Sequence, residues 1–283
     1  MIQIIADTTS SIPVSKMQEL GIFFVPQIII FGEDSYRDDY EIDSATFVRR
    51  LRASVQLPKT AAPPPALYTP IYKQLAEAGD TMIVICPSAE VSGTVRSATV
   101  AAQEFPDADI RIIDTRAIGS TLGSIVLQSK EWVQAGIDAD TLVERIKSMS
   151  SRQKMYFIVD TLEYLHKGGR IGGAQALLGS ILQVKPILTM NDGRAEPVES
   201  CRTKRRALAR ALELVLDEYP KNQTGYLSIM QGDAEEEAVV YAHELSEQLG
   251  IKEIQIYNLP PAILVHVGPG VIAVGFFKPE TPE

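Results

Sequence analysis

The sequence predicts an α/β protein in two domains, residues 1–150 on a parallel sheet and 151–283 on a mixed one. Three observations carry this. Apolar strand-like runs alternate with helical patterns through the first half, which calls for parallel strands joined by crossovers. The turn signal Asn191-Asp192-Gly193 lies between Ile187–Met190 and Ala195–Ser200, as in a hairpin, so the second half mixes strand directions. Two helical patterns stand back to back and end near Ser150, where the boundary is set.

In chain order, Ile2–Ala6 is a strand stopped by the polar run Asp7-Thr8-Thr9-Ser10. Phe23–Phe31 reads as one strand. Asp38, Asp39, Glu41 and Asp43 lack the Gly and closing Glu of a calcium loop and read as a solvated acidic loop. Pro58–Pro65, with three consecutive prolines, is a stiff loop feeding the helix Ala66–Ala78. Thr81–Cys86 is the next strand, then helix Thr94–Glu104, strand Ile110–Ile113, and helices Ser120–Ala135 and Asp140–Met149. The second half supplies strands Met155–Val159, Gly225–Met230, Glu253–Tyr257 and Val271–Phe276 beside the hairpin. Its helical patterns are Ala174–Leu182, Thr203–Glu218 and Ala234–Leu249. Leu259–Phe277 is uncharged and long enough for a membrane span, but its prolines and glycines forbid a spanning helix. Strand, turn, strand is the reading there, and no transmembrane segment is expected.

Composition narrows the function. With 45% hydrophobic and 22% charged residues the 283-residue chain has the balance of a folded globular protein. A formal net charge of −9 argues against a nucleic-acid binder, which needs a basic surface. Cys86 and Cys201 are far apart, and Cys86 sits in an apolar run, so no disulfide is expected. The start of the chain lacks the basic leader of a signal peptide, and a reducing cytoplasmic setting is the expectation.

Candidate chemistry gathers where parallel strands end, the usual ligand crevice of such sheets. Asp7–Ser11 is one polar cluster; by itself Asp7 reads as a cap or turn former. Ser88–Thr94 is the second, and the Gly93 and Thr94 amides at a helix start suit a single anionic group, or an ordinary cap. Thr60, in the proline loop, reaches toward the same crevice. His166, His243 and His266 are scattered, with no metal-ligand spacing, so no metal site is expected. His243 reads as solvated. His266 interrupts an apolar run before Gly268-Pro269-Gly270 and is either a satisfied core histidine or a ligand donor. Ala174–Leu188 is strongly apolar, with small Gly179 and Ser180, and reads as core or as the wall of an apolar tunnel. Lys167-Gly168-Gly169-Arg170-Ile171 presents Arg170 on a sharply turning loop, for a partner or for an internal salt bridge. The basic run Arg202–Arg210 is a helix's wet face or a patch for an acidic partner. Walker, nucleophile-elbow and dinucleotide motifs are missing, and no nucleophile–base pair is evident in the sequence.

Taken together, Asp7-Thr8-Thr9-Ser10, Thr60, Ser92-Gly93-Thr94, Asp114-Thr115, Thr161–Leu165 with Lys167–Ile171, Lys185-Pro186-Ile187-Leu188 and His266–Gly270 resemble the DegV family of bacterial fatty-acid-binding proteins over the whole length. The KGGRI, KPIL and HVGPG motifs are specific to it. The resemblance implies a three-layer α/β/α first domain and a second domain of helices on a mixed sheet, with a long-chain, palmitate-like fatty acid between them and no cofactor. It implies that Thr60, Ser92, the Gly93 amide and His266 hold the carboxylate. It further implies a non-catalytic subunit that presents the lipid to a separate ATP-binding fatty acid kinase subunit, with Arg170 at that step and peripheral membrane contact for lipid exchange. The chain departs from the family at Ala61, Ala62, Pro63 and Pro64, where Ser, Gln, Pro and Ser are usual, and it fits only loosely at Gly119–Gly123. Two other readings are a standalone acyl or phosphoryl transferase using His266 as base, and a lipid-sensing regulatory module.

Overall fold

A computed structural model describes residues 1–38, 40–178, 184–220 and 225–280. The first half carries a four-stranded parallel sheet in the order β2-β1-β6-β7, with β1 Ile2–Asp7, β2 Phe23–Val25, β6 Thr81–Cys86 and β7 Ile110–Asp114. Its strands are apolar on both faces because both faces are covered. Ile4, Ile83 and Ile85 pack against α5 (Ser120–Gln134), α6 (Ala139–Ser151) and α1 (Val14–Glu19). Ile5, Val84 and Cys86 point the other way, onto α3 (Pro65–Glu77) and α4 (Thr94–Ala102). The result is a three-layer α/β/α unit.

Residues 153–277 form a six-stranded mixed sheet ordered β10-β9-β8-β13-β11-β12. Its strands are β8 Gln153–Ile158, β9 Lys185–Asn191, β10 Arg194–Cys201, β11 Ser228–Gly232, β12 Gln255–Asn258 and β13 Val271–Phe277. Tyr156, Ile158, Ile272 and Val274 pack under α8 (Lys204–Glu218) and α9 (Glu235–Leu249). The opposite face, with Met155, Phe157, Met230 and Ala273, meets α7 (Glu163–Lys167) and α10 (Pro261–Val267). β9 and β10 join at Asp192-Gly193, whose φ angles of 52° and 81° are those of the two-residue primed turn that the Asp-Gly pair predicts.

Several expectations need correction. Phe23–Phe31 is two strands. Pro26 has no N–H for a ladder, and the chain turns there from β2 into β3 (Ile28–Phe31), which belongs to a separate three-stranded sheet with β4 (Asp34–Arg37) and β5 (Lys59–Ala61). Part of the supposed proline loop is therefore strand β5. This small sheet and α2 (Ser44–Ala53) pack into the core of the second half, since Ile29, Phe47, Val48 and Leu51 share a cluster with Phe157, Leu188 and Leu264. Leu259–Phe277 is not strand, turn, strand: Pro260 and Pro261 start α10, which ends at Gly268 in the left-handed region with φ 74°. The acidic loop is not wholly solvated either, because Asp38 is buried and Asp43 caps α2; Asp39 lies outside the described residues. Of the pattern Ala174–Leu182, a 3-10 helix over Gly172–Leu177 is seen; Gly179–Gln183 lie outside the described residues. Among the described residues no helix is long and apolar enough to cross a membrane. Cys86 is a free, buried core thiol and Cys201 is free and half-buried.

Candidate functional site

The inner face of the mixed sheet, α10 and the ends of the parallel strands enclose a cavity of about 870 Å³ of atom-free space, its mouth included. Its walls are apolar: Met155, Phe157, Met190, Met230 and Ala273 come from the sheet, and Ala262 and Ile263 from α10. Its polar groups are Thr9, Gln27, Thr60, Ser92, Arg170 and His266. The sequence-predicted Thr60, Ser92, Gly93, Arg170 and His266 thus line one cavity, although 206 residues separate Thr60 from His266.

β5 pairs with β3, Thr60 opposite Ile29, and this holds the threonine toward α10. His266 lies in the last turn of α10, and its Nε2 is 2.8 Å from Thr60 Oγ1. Among the described residues its Nδ1 has no hydrogen-bond partner, and it abuts Gly168, where a Cβ would stand only 2.4 Å away. Burial, with the nearby Arg170 charge, pushes the imidazole pKa down to about 4. A hydroxyl beside an imidazole has the geometry of a nucleophile–base pair, which the sequence did not show. The imidazole has no group on Nδ1 to orient it and is too weakly basic to hold a proton near neutrality. It serves better as a neutral hydrogen-bonding partner of Thr60.

Ser92 and Gly93 stand at the start of α4. The Ser92 hydroxyl is 2.9 Å from Thr94 Oγ1 and accepts from the Thr94 amide at 3.3 Å. Gly93 is the N-cap of α4, and its position is packed tightly, since a Cβ there would be 3.3 Å from the Ala62 Cβ. Behind them lies a buried network around Asp7. Thr94 Oγ1 donates to Asp7 Oδ2 at 2.9 Å and Gln27 Nε2 donates to the same oxygen at 2.6 Å, while the Thr9 amide and hydroxyl donate to Oδ1. Asp7 does cap the 3-10 turn Thr8–Ser10, as expected, but it is also the centre of this network. Gln27 and the Thr94 hydroxyl are functional candidates that the sequence reading missed. Gln27 is a lone amide after Pro26, with no pattern to flag it.

Asp38 ties the two halves behind the cavity. It accepts from Thr8 Oγ1 at 2.7 Å and from the Ala262 amide, at the start of α10, at 3.2 Å. Arg170 does the same at the mouth: half-buried, it donates through Nε to the Val91 carbonyl at 3.1 Å and through Nη1 to the Gly168 carbonyl at 2.8 Å. The surface arginine of the sequence reading is thus partly engaged, and among the described residues it has carbonyl partners rather than the salt bridge considered as its alternative. In the basic run, Arg210 pairs with Glu199 and Glu213, and Lys204 with Glu237. His243 is exposed beside Glu247.

A family model described as an uncharacterised protein of the DegV family matches residues 1–279. A DegV domain-containing protein of Streptomyces coelicolor is 34% identical over 275 residues, covering 96% of this chain and 97% of that one. The fold is shared with a solved DegV family protein from Thermus thermophilus described by its fatty acid binding, at TM-score 0.88 and 29% identity over 98% of this chain and 99% of that one. It is shared equally with DegV of Bacillus subtilis, described as a fatty acid binding protein, at TM-score 0.87, with the same identity and coverage.

Proposed function

The chain belongs to the DegV family, and we propose that it binds a long-chain, palmitate-like fatty acid in the cavity, with the carboxylate at the Thr60–His266 and Ser92–Gly93 end. The observation that carries this is an apolar cavity into which strand β5, the start of α4 and the end of α10 bring Thr60, Ser92 and His266. Burying about fourteen methylenes at ~0.8 kcal/mol each gives roughly 11 kcal/mol of gross driving force. Association costs of several kcal/mol reduce this. An unpaired carboxylate in an apolar site would cancel the rest, so donors are needed at one end. Thr60 has a single proton. With His266 in the tautomer that carries hydrogen on Nε2, the imidazole donates to Thr60 Oγ1 and leaves that proton for the ligand. Supporting this reading are the fatty acid binding descriptions of the Thermus and Bacillus relatives.

Residues 1–150 and 151–283 act in this reading as two domains around the lipid, with the small sheet and α2 of the first sharing the core of the second. The protein works in the bacterial cytoplasm as a non-catalytic subunit, exchanging its lipid by peripheral contact with membranes and presenting the carboxylate to an ATP-dependent kinase subunit. Arg170, at the mouth, is the residue placed nearest that step. Native mass spectrometry of the protein purified from bacteria tests the core of the proposal. A co-purified species of fatty-acid mass is expected, and a ligand-free protein that also takes up no added palmitic acid overturns it.

A further inference from the structure

Asp7 is 1% exposed, and among the described residues no cation pairs with it. The hydrogen bonds around it can be counted to the last proton. Oδ1 accepts from the Thr9 amide and hydroxyl. Gln27 Nε2 spends its two protons on Asp7 Oδ2 at 2.6 Å and Thr94 Oγ1 at 2.9 Å. Thr94 Oγ1 then stands 2.9 Å from Asp7 Oδ2 on one side and 2.9 Å from Ser92 Oγ on the other, with one proton to give. Ser92 Oγ already accepts from the Thr94 amide.

Only two arrangements satisfy every donor and acceptor. With Asp7 ionised, Thr94 donates to Asp7 and Ser92 must donate to Thr94. Ser92 then has no proton for a ligand carboxylate, but keeps one lone pair to accept from a ligand carboxylic acid. With Asp7 protonated, its O–H donates to Thr94, Thr94 donates to Ser92, and the Ser92 proton points into the cavity at a ligand carboxylate. The two arrangements hold the same number of protons once a fatty acid is bound, and they differ only in the direction of the chain.

We propose that Asp7 and the bound fatty acid share a single proton through the Ser92 and Thr94 hydroxyls, and that Asp7 takes it, leaving the lipid as a carboxylate. This rests on the fatty-acid reading and deepens it. In the step, the fatty acid gives its proton to Ser92 Oγ, Ser92 passes its own to Thr94 Oγ1, and Thr94 passes its own to Asp7 Oδ2. Three O–H bonds break, three form, and the negative charge moves from Asp7 to the lipid. Burial pushes the Asp7 carboxyl upward against the hydrogen bonds of Thr9, Thr94 and Gln27 that pull it down. The other titratable groups facing it are Tyr68 on α3 and Cys86 on β6, both pushed well up by burial and so neutral. Asp38 accepts from the hydroxyl of the adjacent Thr8, which makes no hydrogen bond to Asp7 among the described residues, and so stands outside the proton chain.

Infrared difference spectra of the protein loaded with palmitic acid, unlabelled or isotope-labelled at the carboxyl carbon, test this at mildly alkaline pH. The expected spectrum shows the C=O stretch of one protonated carboxyl that ignores the ligand label, beside an ionised ligand carboxylate that follows it. The protonated band is lost in Asp7→Asn, whose side-chain amide, with Gln27 turned over, donates permanently toward Thr94. In Thr94→Val, which cuts the chain but also removes a hydrogen bond that pulls Asp7 down, the band stays and shifts in frequency because the Asp7 O–H has lost its acceptor. A protonated band that moves with the label, no protonated band, one that persists in Asp7→Asn, or one whose frequency is unmoved in Thr94→Val overturns the proposal. The absence of any label-sensitive band sinks the binding reading itself, and is told apart from the other results by that.

Discussion

Truncating Ser92 removes its bonds to the Thr94 amide and hydroxyl, and with them the donor proposed for the ligand. A hydrogen bond to a charged group contributes roughly 1.5–3 kcal/mol, so Ser92→Ala should weaken fatty acid binding about tenfold or more. Isothermal titration checks it, and unchanged affinity removes Ser92 from the site. His266 predicts a pH effect. Its folded pKa lies near 4, below the 6.5 of an ordinary histidine. The unfolded chain therefore takes up a proton that the ligand-free folded protein refuses. Stability from this group is full above the unfolded value and falls as pH drops from 6.5 to about 4, by ~3 kcal/mol in total. Urea unfolding of His266→Gln should show a smaller loss over that window; an identical loss means other groups set the acid limb. Ser92 and His266 were legible because each breaks a local pattern, a hydroxyl-Gly at a helix start and a polar ring in an apolar run. Gln27 and the shared Asp7 proton were not, because they exist only when residues far apart in sequence meet.

Helix α10 shows the same limit for elements. Pro261–Val265 are all buried, so Pro-Ala-Ile-Leu-Val carries no 3.6-residue alternation and reads as a buried strand. Only the Pro-Pro start and Gly268 stop marked it, and they were read as breakers. The long amphipathic helices α3, α5, α6, α8 and α9 fall within a residue or two of their patterns because each has one wet face. Strand Phe23–Phe31 failed at Pro26, where a continuous apolar run conceals a change of sheet. At α7 the fit to α10 is close enough to test. Gly168→Ala would place a methyl 2.4 Å from His266 Nδ1 and 2.9 Å from the Tyr164 carbonyl. The ring must move and its bond to Thr60 is lost, which predicts a several-fold loss of fatty acid affinity with 1–3 kcal/mol of overpacking cost. The ring's NMR signals, compared in free and loaded protein, report the displacement; an unmoved ring with full affinity would contradict it.

At the scale of the whole molecule the two halves are joined by hydrogen bonds at three places around the cavity. Asp38 bridges Thr8 to the start of α10, the Ser88 hydroxyl donates to the Gly193 carbonyl at the hairpin tip at 2.9 Å, and Arg170 reaches from the glycine loop to Val91. Of these three Arg170 is the most exposed, and two roles are open to it. As a latch it donates from Nε and Nη1 to two carbonyls; Nη2 makes no hydrogen bond among the described residues and suits an oxyanion of the ligand or of a partner. Arg170→Ala should lower the melting temperature by a few degrees, since a chain of this size loses about 2–4 °C per kcal/mol and half-exposed bonds are discounted for solvent. Because Thr60, Ser92 and His266 remain, fatty acid affinity should stay within a few-fold of wild type by titration. Acyl-phosphate formation with the kinase subunit should fail in Arg170→Ala and return only in part with Arg170→Lys, which restores the charge without the fork. Loss of lipid binding in Arg170→Ala would make the residue part of the pocket wall. Full phosphorylation by the variant would leave Arg170 a latch and nothing more.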